Sequence, residues 1–354
     1  GGAEKRFFGL WESICSHKSD IEIYLVISPI LLKAFEGQES NLDFIQQWRS
    51  RLKVYSLVNG FQNYQESIKE FVKTYTKEHD ILHFIGDHPL ILFKERKQLF
   101  SITQSSFKNL NYKGKLGQIA GVLLSDQIDI LDPVIYKQFR SWFAFKKKSI
   151  HQTSNSFCDI NLFNSLPFKE KNDWFVFLGR FENVKQTKAL LNTIPFIFKE
   201  LKKRKNVNFH FYFFGYGTLE NEMRQMVSER LFDDVPITIA YNSKPNDILA
   251  RSKYFFSVQL HNNYPSKSLI EAMASGNIPI VTDVGQTRWL AKPEFSYYVP
   301  EFFDSEDILK AIIKIYNENE EALTIKSKMA REFVIKEHTI EKMRDYYLSI
   351  YKKM

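Results

Sequence analysis

Three stretches of this 354-residue sequence bring together residue types that can do chemistry. In WFVFLGRFENVKQ (174–186) an apolar run ends at Gly179, and Arg180 and Lys185 follow. Two cations at a strand-to-helix turn can hold a diphosphate, arginine as a planar fork and lysine as a point charge. The same pair also suits a solvated surface beside a loop. In FYFFGYGTL (211–219) Gly215 and Gly217 follow a second apolar run. They allow backbone to approach a ligand closely, although any tight turn there would use glycine. In NYPSKSLIEAMAS (263–275) Pro265 and Ser266 mark a helix start. The amides of Lys267, Ser268, Leu269 and Ile270 could meet a phosphate at the positive end of that helix. Glu271 could accept hydroxyl hydrogens from a sugar. Ser268-Leu-Ile-Glu271 also fits a capping box, in which the glutamate only satisfies a helix-end amide.

Other candidates are weaker. The chain opens GGAEKRFFGL, and Gly1 and Gly2 leading into a helical pattern have the form of an anion site. In ILHFIGDHP, His83, Asp87 and His88 are a loose match to metal-ligand spacing, and a lone histidine is more often structural. No Asp-x-Asp, a spacing that can hold a divalent ion on a diphosphate, occurs in the chain. Cys15 and Cys158 lie far apart, make neither a metal spacing nor a disulfide framework, and favour a reducing compartment.

The elements that must position these residues follow from apolar patterning. Strands are expected at 21–27, 53–57, 81–86, 99–103, 128–131 and 149–153, then at 174–179, 208–215, 235–240, 254–258 and 278–282. Helical patterns lie between them, including 64–78, 133–146, 184–204, 217–230, 244–251 and 267–275. Continuous apolar strands alternating with helices predict an α/β protein with parallel sheets covered on both faces. Two such series, in a chain long enough for two cores, predict two doubly wound domains. The polar stretch 160–173 is the expected linker, and 338–352 the expected terminal helix. In such sheets ligands bind beyond the carboxyl ends of the strands, where the three stretches fall.

Composition sets further bounds. Hydrophobic residues make up 44% and charged residues 25%, which is globular rather than disordered. No apolar run approaches the roughly 18–20 residues of a membrane span, and no signal-peptide pattern is visible. A net charge of +8 suits anionic partners: nucleotide phosphates, lipid head groups or nucleic acid. The stretch YKQFRSWFAFKKK (136–148) mixes aromatics with cations and reads either as a domain helix or as a helix lying on an anionic membrane. No nucleic-acid motif accompanies the basic residues.

GGAE opening a helix, LGRF…K, GYG and LIEAMASGNIPIVTDVG occur in one order and spacing. Together they resemble the retaining nucleotide-sugar glycosyltransferases of the GT-B fold, of the family four (group 1) type. The resemblance implies two Rossmann-like domains facing across a cleft: an acceptor domain at 1–165, a donor domain at 166–337, and a helix at 338–354 crossing back to the first. It implies that Gly1 and Gly2 follow a first strand missing from this sequence. It assigns Arg180 and Lys185 to the donor diphosphate and Glu271 to the donor ribose. Gly1, Gly2, Gly179, Gly215, Gly217 and the segment Pro265, Ser266, Lys267, Ser268, Leu269 and Ile270 would line the donor. Asn263, also a donor-binding position, stands where the family usually has a glutamate that touches the donor sugar, and Gln104 where many members have a histidine. An amide still donates and accepts hydrogen bonds but supplies no charge. His83, His88 and Gln104 are the acceptor-side candidates.

The implied reaction transfers a sugar from a UDP- or GDP-linked donor to a glycan or lipid-linked glycan. It needs no metal or other cofactor and belongs to bacterial surface polysaccharide synthesis, in the cytoplasm or at the inner face of the membrane. Phe-, Ile-, Lys- and Asn-rich usage fits an AT-rich bacterial genome. The competing reading is a GT-B-like protein that binds nucleotide or glycan without transfer, on the strength of Asn263 and Gln104.

Overall fold

Runs such as FHFYFF and IPIVT hold apolar side chains at successive positions, so both faces of the resulting strands must be covered. The computed structural model describes residues 2–17, 21–29, 32–33, 46–47, 49–54, 64–103, 110–153, 156–204, 209–241, 244–262 and 264–354. The chain divides into two units, Gly1–Ser154 with Ile340–Met354, and Asn155–Thr339.

In the first unit β1 (Leu25–Ile27) and β2 (Leu52–Val54) form a parallel pair. Strands β3 (Ile81–Ile85), β4 (Lys97–Ile102), β5 (Gln127–Ile130) and β6 (Ile150–Gln152) form a parallel sheet in that order. Helix Gly2–Ser16 packs Phe8, Trp11 and Cys15 against Ile27 and Leu52. Helix Pro133–Trp142 starts where Asp132 accepts the amides of Val134 and Ile135, with proline at the first helical position. Its Ile135 and Phe139 close over Phe100, Ile102, Ile128 and Ile130 of the sheet.

Helix Ile340–Tyr351 also belongs to this unit. A buried polar network fastens it to the sheet. The fully buried Asp129 accepts from Tyr346 Oη and Tyr347 Oη, both at 2.6 Å, and from Ser101 Oγ at 3.1 Å.

In the second unit six parallel strands take the order β12 (Tyr297–Val299), β11 (Ile278–Thr282), β10 (Ser252–Ser257), β7 (Asn172–Leu178), β8 (Phe209–Phe214), β9 (Ile237–Ala240). Phe175 and Phe177 of β7 join Phe211, Phe213, Tyr254 and Phe256 in one core layer, with Leu190, Ile194 and Ile312 of the covering helices. Val176, Phe255 and Val281 face the other layer, against Leu269, Ile270 and Met273 of helix Lys267–Ala274. Neighbouring aromatics stack along the sheet, Phe175 to Tyr254 at 4.7 Å and to Phe211 at 5.4 Å between centroids.

Two features differ from the sequence reading. The stretch 160–173 is no open linker: Phe163 and Phe168 are buried in the second unit, and β7 already begins at Asn172. Upstream, Cys158 N–H donates to His338 O at 2.8 Å, so the chain is committed to this unit from about Asn155, not 166. Strand β12 was not expected. It is only three residues long, at the sheet edge, too short to give a period.

Candidate active site

The strand order of the second unit reverses between β7 and β10. Loops leaving neighbouring strands on the two sides of such a switch point diverge, and that is where an open parallel sheet binds ligands. Arg180 and Lys185 follow β7, and the segment 262–271 follows β10.

Backbone contacts hold these loops together. A Cβ on Gly215 would lie 1.8 Å from Gly179 O, and one on Gly217, at φ +156°, would lie 2.4 Å from Phe181 O. The two glycines therefore let the loops after β7 and β8 meet main chain to main chain. Phe181 N–H donates to Tyr216 O at 2.8 Å, and Leu219 N–H to Phe181 O at 3.0 Å. On the β10 side, Leu260 N–H donates to Val184 O at 3.0 Å. Gln259 exchanges hydrogen bonds with Thr282 Oγ1, each at 3.0 Å. Asn262 Oδ1 accepts from Tyr264 N–H at 3.2 Å and Gln286 N–H at 3.1 Å. Gly285, at φ +51°, leaves room for the Asn262 side chain, where a Cβ would come within 2.5 Å. Gln186, left-handed at φ +47°, donates Nε2–H to Glu301 O at 2.9 Å. The carboxyl ends of β7, β8, β10 and β11 are thus one connected assembly.

The charges in it are unequal. Arg180 is exposed and pairs with Glu182 at 2.9 Å. Lys185, in the turn Asn183–Lys185, is partly buried, and its Nζ donates to Gln259 Oε1 at 3.3 Å. Burial, and secondarily the Arg180 charge, pull the Lys185 ammonium down to about 8, with Glu182 opposing.

Helix Lys267–Ala274 presents its amino end to the same region. Ser266 is the N-cap residue but makes no side-chain cap hydrogen bond. Ile270 N–H already donates to Ser266 O at 3.1 Å, so the phosphate-facing turn shortens to the amides of Lys267, Ser268 and Leu269. The Leu269 and Ile270 side chains are core residues and contribute nothing polar. Because Ser268 is the second helical residue rather than the cap, the Ser268–Glu271 capping box does not form. Glu271 falls one turn further on, 13% exposed, with Lys267 Nζ at 3.7 Å.

The carboxyl end of this helix is held by the buried Lys171 and the half-buried Arg331. Lys171 Nζ donates to Ser252 O at 3.3 Å and to Ser275 O, and Arg331 Nη1 donates to Phe163 O at 2.8 Å and to Ala274 O. Positive charge there complements the helix dipole. Burial depresses the Lys171 ammonium to about 7, with Arg331 adding to the shift.

The remaining predicted residues are dispersed. Gly1, Gln104 and Asn263 lie outside the described residues, and Gly2 begins the first helix. His83 and His88 belong to the first unit and are engaged there. His83 Nδ1 meets Tyr351 Oη at 2.8 Å and its Nε2 meets Ser101 Oγ at 2.7 Å. His88 is buried between Phe84 and Phe100, accepts Leu90 N–H on Nδ1 at 2.9 Å, and is held neutral by burial, which lowers it to about 4. Sequence reasoning missed Gln259 and Thr282, for which no local pattern speaks. Among the described residues no group of three or more His, Cys, Asp or Glu is placed to hold a metal, and no helix is long and apolar enough to cross a membrane.

With this geometry in place, comparison with known proteins shows what the chain is similar to. The sequence model of the family described as glycosyl transferases group 1 matches residues 159–332, nearly the whole second unit. The fold is GT-B. Anabaena Alr3699/HepE, solved in complex with UDP, superposes with a TM-score of 0.76 at 12% identity, covering 100% of this chain and 97% of that one. A glycosyltransferase from Rickettsia africae gives a TM-score of 0.73 at 14% identity, covering 100% and 95%. TarM gives 0.64 at 17% identity over 80% of this chain, which spans only 57% of TarM. No curated protein matches by sequence.

Proposed function

We propose that this protein is a retaining glycosyltransferase that moves a sugar from a UDP-linked donor to a hydroxyl of a glycan or lipid-linked glycan. One observation carries the reading. Arg180, Lys185 and the uncapped Lys267–Leu269 turn belong to loops joined at the switch point of a unit that matches the group 1 family. Uracil is favoured as the base because Alr3699/HepE was solved with UDP and with UDP-glucose.

In this reading the leaving diphosphate draws Arg180 from Glu182, and Lys185 faces it as a protonated ammonium. The first-turn amides add fixed dipoles that need no reorganisation as charge develops. Glu271 accepts the ribose hydroxyls. The acceptor hydroxyl attacks from the face the nucleotide leaves, the bond from the sugar to the phosphate oxygen breaks, and the departing phosphate takes the hydroxyl proton. Arg180, Lys185 and the amides supply the counter-charge, so the proposal requires no divalent ion. The proposed acceptor class is a bacterial surface glycan.

The test is UDP release from a panel of UDP-sugars with and without EDTA, for the wild type, Arg180→Ala and Glu271→Gln. The reading expects turnover with one donor, indifferent to EDTA and strongly reduced in both variants. UDP binding without turnover on any donor and acceptor, with Glu271→Gln indistinguishable from wild type, would move the assignment to a non-catalytic binding protein.

A further inference from the structure

The stretch 136–148 is not absorbed by the donor site. Its inward face is ordinary core: Phe139, like Ile135 just before the stretch, is buried against the sheet, and Phe143 is only 8% exposed. Its outward face is not ordinary. Trp142 is 49% exposed and Phe145 75%. The helix ends at Trp142, and a short 3-10 segment, Ala144–Ser149, follows.

Lys146 fixes where this segment sits. Its Nζ donates to Val122 O at 3.1 Å, Leu123 O at 2.9 Å and Ser125 O at 2.6 Å. The 3-10 segment is thereby seated on the end of helix Tyr112–Leu124, which exposes its own apolar stripe of Tyr112, Leu116 and Leu123 at helical spacing. Two elements together present large apolar side chains to solvent.

The charge these segments themselves carry is of one sign. Residues 111–125 and 133–152 contain seven Lys or Arg and no Asp or Glu, in a chain whose whole net charge is +8. Lys147 and Lys148 are exposed beside Phe145, and Lys113 beside Tyr112. Asp126, the exposed acid that follows helix Tyr112–Leu124 in sequence, is already 3.9 Å from Lys97. Asp129 and Asp132 are buried and engaged, Asp132 as a helix cap. Exposed Trp, Phe and Leu rimmed by lysine is the composition that enters the boundary of an anionic bilayer. Leu116 and Leu123 have no use on a phosphate backbone, which separates this face from a nucleic-acid surface.

We infer that the face formed by helix Tyr112–Leu124 and the segment Trp142–Lys148 docks this protein on an anionic lipid surface. Phe145 and Trp142 enter the interface, and Lys147, Lys148 and Lys113 lie over the head groups. Lys146 is a structural cap, not a lipid contact. This does not depend on the donor-site reading.

The experiment is sedimentation of the full chain with vesicles of phosphatidylcholine alone or with phosphatidylglycerol, at low and high salt. The wild type, Trp142→Ser/Phe145→Ser and Lys147→Glu/Lys148→Glu are compared, each checked for an unchanged thermal melt. All four positions are solvent-facing, so the fold should tolerate them. The expected result is salt-sensitive binding to the anionic vesicles only, reduced on the order of tenfold or more by the charge reversal and also by the aromatic pair. Absence of binding, equal binding to neutral vesicles, or binding that survives both variants would overturn the inference. So would duplex DNA binding lost in the charge reversal without any vesicle binding.

Discussion

Lys185 gives the candidate site its pH dependence. Its ammonium is lowered to about 8, chiefly by burial. Below that pH the group is a cation, which the proposed diphosphate would attract; above it the group is neutral and that attraction would be lost. The affinity for UDP should therefore fall as pH rises through about 8, while Lys185→Arg, which stays charged, should flatten that dependence. Binding measured from pH 6.5 to 9.5 checks this, and an identical fall in the arginine variant would contradict it. Arg180 is a more exposed cation, and its removal should weaken UDP binding about 10- to 100-fold, the value of a hydrogen bond to a charged group. At this scale the sequence was informative where side chains carry charge at a turn. It was silent on Gln259 and Thr282, because a side chain that clamps two loops leaves no periodic trace. It offered the Ile270 amide among the four that could meet a phosphate, whereas in a helix capped at Ser266 that amide already donates to Ser266 O.

Among the elements, the loops after β7 and β8 depend on Gly215 and Gly217. Gly215→Ala places a methyl group against Gly179 O and should force the two loops apart, at about 1–3 kcal/mol, as overpacking does. The melting temperature should drop by several degrees and UDP binding should weaken with it. A stable variant with unaltered UDP affinity would show that loop contact does not shape the site. Lys171 tests the far end of helix Lys267–Ala274. Lys171→Met leaves Ser275 O without its Nζ donor, and a loss of about 1–3 kcal/mol in a denaturant titration is expected. The strands themselves were legible: IEIYLVI, WFVFLG, NFHFYFF and IPIVT contain β1, most of β7, all of β8 and all of β11. Boundaries and the edge strand β12 were not, because they are set by partners distant in sequence.

Across the whole molecule, the last helix returns to the first unit and is held by Asp129. Asp129→Ala removes the acceptor of Ser101, Tyr346 and Tyr347 at once. Because buried donors left unpaired are costly, a loss of about 3 kcal/mol or more is expected, read as a lower melting temperature and earlier proteolysis of the C-terminal helix. Two-domain organisation was visible in the repeat of strand–helix alternation. The unit boundary was not, because a polar, proline-containing stretch reads as a linker even when Phe163 and Phe168 anchor it in a core.

The central claim is that the loops joined at the second unit's switch point form a nucleoside-diphosphate site. Calorimetric titration of UDP into the wild type and Arg180→Ala, each with and without EDTA, tests it most directly. The wild type should bind UDP saturably, with an affinity that EDTA leaves unchanged and that Arg180→Ala weakens about 10- to 100-fold. No UDP binding to the folded wild type, or equal affinity in the variant, would contradict it.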